Sequence, residues 1–243
     1  MYQEAINNYL KQHGHEKINR KAVLFDMDGV LFNSMPNHAS SWHKVMERMG
    51  FGLSEEEAYM HEGRTGADTI NIISRRERGC DATDEEIKAI YAAKSEEFNK
   101  CPEAPRMPGA WEVLNKIKDD GLTRMIVTGS GQVSLLDRLN KNFPGIFQKE
   151  LMVTAFDIKF GKPNPDPYLM ALEKGGLKPN EAIVIENAPL GVQAGVAAGI
   201  FTIAVNTGPL PDEVLWDAGA NLLFHSMPEF NENWENVKNA LHG

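Results

Sequence analysis

From Lys21 onward the chain repeats one pattern, a short unbroken apolar run cut off by a small or polar residue. Ala22-Val23-Leu24-Phe25 stops at Asp26, residues 125–127 (Met-Ile-Val) stop at Thr128, and residues 151–153 (Leu-Met-Val) precede Thr154. Ala182-Ile183-Val184-Ile185 stops at Glu186, Phe201 to Val205 stops at Asn206, and Asn221 to Phe224 makes a last run. Continuous apolar runs without alternation suit strands buried on both faces of a parallel sheet. Between them the apolar positions change to helical spacing. Ala110, Val113, Leu114 and Ile117 form one stripe, with Gly121 as a stop signal, and Leu135, Leu136 and Leu139 form another. Pro167 to Leu172 opens a third, ending at Gly175-Gly176.

Strand and helix in alternation imply right-handed crossovers and a doubly wound, Rossmann-like parallel α/β sheet. From about Phe32 to Pro105 the alternation breaks. Helices are expected over 39–49, 54–61, 67–78 and 84–99, with no strand between them. Ser54 to Glu57 and Thr83 to Glu86 each carry a capping residue followed by glutamate at the third position, a capping-box signature. An all-helical stretch inserted after the first strand reads as a separate cap. The expected organisation is an N-terminal extension over 1–20, an α/β core over 21–33 and 106–243, and a helical cap over 34–105. The first segment reads as a short surface helix with Ile6 and Leu10 on one face; it lacks the apolar run of a signal peptide.

Composition narrows the partners. The chain has 243 residues and a formal net charge of −9, without a dense Lys/Arg cluster. That argues against nucleic-acid and anionic-membrane partners, which need concentrated positive charge, and no apolar run approaches a membrane span of about 20 residues. Cys80 and Cys101 alone make no disulfide framework, so a cytoplasmic location is the simplest expectation. A monomer is expected, with a homodimer as the alternative.

Chemistry gathers at the strand ends, where open α/β sheets bind ligands. Asp26 and Asp28 follow the first strand two positions apart, which in extended backbone puts both carboxylates on one side. Alone, the pair reads equally well as a solvated turn. Thr128-Gly129-Ser130-Gly131 adds a hydroxyl and compact backbone N–H groups, the materials of an anion nest. Gly161-Lys162-Pro163 adds a cation, and Glu186-Asn187 ends a strand where a buried carboxylate is costly unless partnered. A nucleophile, an acid, a phosphate cradle and a counter-cation are the parts of phosphoryl transfer.

Taken in order, FDMDGVL, VTGS, GKPNPDPY and VIENAPLGVQAG resemble the motif set of the haloacid dehalogenase superfamily of phosphotransferases. The helical insert resembles that superfamily's first-type cap, and the chain looks most like the β-phosphoglucomutase-like subgroup over about residues 20–225. The resemblance implies that Asp26 is a nucleophile forming an aspartyl-phosphate, and that Asp28 is the acid/base. It implies that Thr128, the N–H of Gly129 and Lys162 hold the transferring phosphoryl group. Mg²⁺ would be held by Asp26, the Asp28 carbonyl and the Glu186-Asn187 motif, with Asp26 ionised and Asp28 protonated for part of the cycle.

Two departures stand out. Where the subgroup usually has a second acid, this chain has Asn187, one charge fewer at the metal. In the cap loop from His61 to Gly66, the position of a phosphate-gripping arginine of the sugar-phosphate mutases is Gly66, with Arg64 nearby but shifted. Lys94 matches a phosphate-binding cap lysine of that group. His38 and Trp42 fall where it couples cap closure to the acid/base, though Trp42 reads equally as packing, and Glu62 reads equally as facing the metal or capping a helix. The expectation is an Mg²⁺-dependent hydrolase of a small anionic phosphate ester or of pyrophosphate. The rivals are a mutase interconverting glucose 1- and 6-phosphates and a catalytically silent phosphate-binding regulator.

Overall fold

The computed structural model describes residues 2–131 and 135–241. The expected runs become β1 (Ala22–Phe25), β2 (Thr123–Val127), β3 (Met152–Val153), β4 (Ala182–Glu186), β5 (Phe201–Val205) and β6 (Leu222–Phe224). All pair in parallel in the order β3-β2-β1-β4-β5-β6. The order reverses at β1, so the crevice for a ligand opens at the carboxyl ends of β1 and β4.

Alternation of side chains along each strand sorts the core into two faces. Val23, Phe25, Ile126, Ile183 and Ile185 pack with α6 (Ala110–Asp119) and α11 (Met227–Ala240), around the fully buried Trp234. Leu24, Met125, Val127 and Val184 pack on the other side with α8 (Asp166–Gly175) and α9 (Pro189–Ala197). The helix α9 escapes a stripe-based reading because it is apolar nearly all round, the mark of a buried helix. The remaining core helices are α7 (Leu135–Asn142) and α10 (Asp212–Asp217).

The N-terminal helix α1 (Tyr2–His13) is more than a surface helix. Ile6 and Tyr9 are buried in the first core face, while Leu10 is only half-buried. Tyr9 meets Phe201 edge-on at 5.4 Å and donates a 2.8 Å hydrogen bond to the Gly199 carbonyl. An aromatic at position 9 with a polar tip was the anchor that the Ile6/Leu10 spacing did not reveal.

Between β1 and β2 lie α2 (Met35–Arg48), α3 (Glu55–Met60), α4 (Gly66–Arg78) and α5 (Asp84–Asn99). They close around their own apolar cluster of Val45, Met46, Leu53, Ile70, Ile73, Ala82 and Ile90. The helix α2 begins at Met35, earlier than the apolar spacing suggests, because Pro36 is compatible with a first helical turn. Thr83 and Glu86 form the full reciprocal capping box. Ser54 accepts from the Glu57 N–H, but the Glu57 carboxylate turns away to His61 and Arg76, so the second box is half made.

Candidate active site

The register of β1 against β4 pairs Phe25 with Ile185, so Asp26 and Glu186 leave the sheet side by side. Both are buried, at 5% and 1% exposure, and a shared cation holds them there. Lys162, itself 2% exposed, donates to Asp26 Oδ1 and to the Val127 carbonyl at 3.1 Å, and lies 2.6 Å from Glu186 Oε1. Tyr168 donates to the same glutamate oxygen at 2.5 Å, and the Asn187 backbone N–H donates to Oε2 at 3.2 Å. Burial alone would lower the lysine's pKa, but the two carboxylates reverse that and hold it well above its ordinary value.

The turn after β1 swings back on itself, with Leu31 and Phe32 N–H groups bonded to the Met27 carbonyl. Gly29 makes the turn possible: its φ is +84°, and a Cβ there would lie 2.0 Å from Asn187 Nδ2. Asp28 is thereby presented to the cap. It accepts from Ser34, and His38 Nε2 lies 3.5 Å from it. The other ring nitrogen of His38 is 2.8 Å from Lys94 Nζ. An ammonium can only donate, so Nδ1 accepts and the proton of a neutral His38 sits on Nε2, facing Asp28. Phe98 stacks on the imidazole at 4.2 Å and fixes its plane.

The cap reaches the floor through the loop before α4. Asn187 Nδ2 donates to both oxygens of Glu62, at 3.2 and 3.1 Å. Glu62 therefore faces the core rather than capping a helix. Gly63 lies so close to Lys162 that a Cβ would meet Cδ of the lysine at 2.9 Å. Thr128 and Gly129 at the end of β2, with Ser130, Asp26, Asp28, Glu62, Arg64, His38 and Lys94, line one cavity of about 650 Å³. Lys162, Glu186 and Asn187 form the buried layer beneath it.

The charges do not balance among these side chains. Asp26, Asp28, Glu62 and Glu186 converge, and Lys162 is the ammonium paired with Asp26 and Glu186. Burial first, then Glu186 and Asp28, push Asp26 up to about 7 despite Lys162. Burial together with Asp26, Glu186 and Asp28 raises Glu62 well above the usual carboxylate range. Asp28 goes the other way: burial raises it, but His38, Ser34 and Arg138 more than offset this and hold it below the usual range. The side chains alone thus set the reverse of the expected order of protonation.

Among the described residues no group of three or more His, Cys, Asp or Glu side chains is placed to hold a metal ion. The expected set is of a different kind, mixing a carboxylate, a backbone carbonyl and an amide. It does carry an orphan, since Asn187 Oδ1 is buried without a hydrogen-bond partner. A hard cation accepting oxygen ligands would satisfy that atom and relieve the converging carboxylates.

Ser34, Tyr168 and Phe98 were not singled out by sequence. Tyr168 lies within the GKPNPDPY segment, but its partner Glu186 becomes visible only in the fold. No helix among the described residues is long and apolar enough to cross a membrane.

Comparison with known proteins identifies the family. The haloacid dehalogenase-like hydrolase family profile matches residues 23–205. Hexitol phosphatase A of Escherichia coli is 34% identical over 188 residues, 76% of this chain and 83% of that protein. A phosphorylated carbohydrates phosphatase of Thermotoga maritima is 29% identical, covering 82% of this chain and 92% of its own. A solved structure from Bacteroides vulgatus, described as a candidate β-phosphoglucomutase, is 78% identical with a TM-score of 0.97, covering 100% and 98% of the two chains. The chain belongs to the haloacid dehalogenase-like hydrolase family, as an enzyme of the β-phosphoglucomutase-like type with phosphatase or phosphomutase chemistry.

Proposed function

We propose that this protein is an Mg²⁺-dependent phosphohydrolase of compact, highly anionic substrates, with inorganic pyrophosphate as its first candidate. The observation that carries the reading is Glu62 of the cap seated on Asn187 of the core, directly beside the Asp26–Lys162–Glu186 cluster. Asn187 in place of an acid leaves the metal corner one charge poorer, which eases entry of a polyanion. Glu62 then supplies a carboxylate from above only when the cap is down.

In this reading Asp26 attacks phosphorus, the bond to the leaving oxygen breaks, and the leaving group takes a proton from Asp28, a carboxyl that its own neighbours hold ionised and that must gain this proton with the substrate in place. Thr128 and the Gly129 N–H hold the phosphoryl oxygens, and Lys162 fixes the nucleophile against them. Water then attacks the aspartyl-phosphate and gives its proton to Asp28, releasing phosphate and restoring Asp26. Asp26, the Asp28 carbonyl and Asn187, with Glu186 behind them, would hold Mg²⁺, which would supply charge neutralisation for the transferring phosphoryl group. Cap contacts at His38, Glu62 and Gly63 exclude bulk water during the first step.

A second reading is a sugar-phosphate hydrolase. It is favoured by the volume of the cavity, about 650 Å³, and by relatives named for hexitol and carbohydrate phosphates. The test is a phosphate-release screen over pyrophosphate, hexitol and hexose phosphates and glycerol phosphate, with Mg²⁺ and again with EDTA. Release from pyrophosphate that EDTA abolishes is the expected result. Rapid turnover of sugar phosphates with none of pyrophosphate would overturn the first reading in favour of the second. Nuclear magnetic resonance of glucose 1-phosphate incubations tests for mutase chemistry, and Asp26→Asn, expected to lose all turnover, tests the silent binder.

A further inference from the structure

The cap helix α5 has two working faces. Ile90 is buried in the cap core and Ile87 packs against it, whereas Tyr91, Lys94, Ser95 and Phe98 recur at helical spacing along the catalytic cavity. On that second face, Lys94 and Phe98 are occupied with His38, and Ser95 donates to the Tyr91 carbonyl. The Tyr91 side chain has no such occupation. It is absent from the cap core, its residue is 43% exposed, and its hydroxyl makes no hydrogen bond among the described residues.

What positions the ring is a missing side chain. A Cβ at Gly66 would lie 2.3 Å from Cδ2 and 2.4 Å from Cε2 of Tyr91, far inside van der Waals contact. The φ of Gly66 is not in the left-handed region, so its backbone conformation does not demand glycine. The demand comes from the ring. Trp42 lies next to it, with centroids 6.4 Å apart and planes tilted by 52°, and the two aromatics make a corner of the cavity shared with Asp26 and Thr128. An aromatic held against bare backbone, without a core or hydrogen-bonding role, is placed to meet a ligand.

We propose that Tyr91 is the specificity-determining residue of the leaving-group end: its ring, seated on Gly66, is the wall that favours compact leaving groups over sugar-sized ones. This rests on the reading of the cavity as a phosphohydrolase site. The wall acts by volume. Its removal therefore admits a larger leaving group, while the hydroxyl contributes little.

The test compares wild type with Tyr91→Ala, Tyr91→Leu, Tyr91→Phe and Gly66→Ala on glycerol 3-phosphate and a hexose 6-phosphate, with Mg²⁺. The ratio of kcat/KM for the hexose ester to that for the glycerol ester should rise about tenfold in Tyr91→Ala, mainly through KM, the scale on which a pocket wall discriminates size. Tyr91→Phe should keep the wild-type ratio. Gly66→Ala, which retains the tyrosine but forces its ring to move, should shift the ratio as well. A ratio within about twofold of wild type in both Tyr91→Ala and Tyr91→Leu, with unchanged circular dichroism and thermal midpoint, overturns the proposal. The same ratio read as affinities by calorimetry, with each Tyr91 substitution combined with Asp26→Asn, keeps the test independent of turnover. A wild-type enzyme that hydrolyses neither ester nor pyrophosphate defeats the phosphohydrolase reading instead.

Discussion

Replacing Lys94 with methionine should make the protein more stable at neutral pH, and the gain should disappear as the pH rises. Lys94 is 7% exposed, with its ammonium 2.8 Å from His38 Nδ1 and 5.5 and 4.9 Å from the ring centres of Trp42 and Phe98. Burial lowers its pKa from 10.5 to about 8, against the opposing pull of Asp28. At about 1.4 kcal/mol per pH unit, that fall means the buried ammonium costs roughly 3 kcal/mol. Below pH 8 the folded and unfolded chains both carry the charge, so the cost is complete. Between pH 8 and 10.5 the unfolded chain holds the proton that the folded one has lost, so the wild type gains stability with rising pH. Above 10.5 both are neutral and the cost is gone.

Methionine fills a similar volume with an unbranched, adaptable chain. It gives up the bond to His38, worth about 1 kcal/mol. The net expectation at pH 7 is a stabilisation of about 2 kcal/mol, falling to zero or below near pH 10.5. Urea unfolding of both proteins at stepped pH, with m-values compared, reads this directly. Titrating groups out of reach of Lys94 are common to the two chains and cancel in the difference, whereas His38, whose pKa Lys94 lowers, is followed separately by its imidazole resonances. A stability difference that stays flat from pH 7 to 10.5 would refute the reasoning, because it would mean that Lys94 is not held in the protein at a depressed pKa.

Further substitutions probe other contacts. Asn187→Asp restores a charge at the metal corner. It should lower the Mg²⁺ concentration for half-maximal phosphate release about tenfold, while the added repulsion against Glu62 raises KM for pyrophosphate; an unchanged Mg²⁺ titration would count against Asn187 as a ligand. In Gly191→Ala, the new Cβ would stand 2.1 Å from Glu186 Cδ and Oε1. Displacing that carboxylate from Lys162 and Tyr168 should cost about 2 kcal/mol in denaturant unfolding, and a protein as stable as wild type would show that Glu186 can move freely. Tyr9→Phe deletes the bond to the Gly199 carbonyl and should cost about 1 kcal/mol, visible as a lowered thermal midpoint with the circular dichroism spectrum retained.

Much of the architecture was legible along the chain because a parallel sheet buries both faces of every strand. Each strand is then an apolar run, and each run stops where the backbone reaches the ligand-binding edge. For the same reason Asp26, Thr128, Lys162 and Glu186 could be picked out in order, as polar residues bounding strands or held in a Pro/Gly-defined loop. Periodicity failed where burial is not one-sided, as in α9, and where a single aromatic anchors a segment, as Tyr9 does for α1. Capping chemistry at Ser54 was half right, since Glu57 had better partners in His61 and Arg76 than its own helix end.

By itself the sequence determined the alternation of strand and helix, the helical insertion after β1 and the residues at the strand ends. Only the tertiary structure decided which of those residues touch. It brought Glu62 onto Asn187 across 125 positions of chain, gave Lys162 both Asp26 and Glu186, and laid Tyr91 over Gly66. Such contacts depend on how the cap sits on the sheet, a geometry summed from many small packing preferences and written in no local pattern. Glu62 shows the difference: along the chain it could cap a helix or face the core, and the loop from His61 to Gly66 turned it onto Asn187.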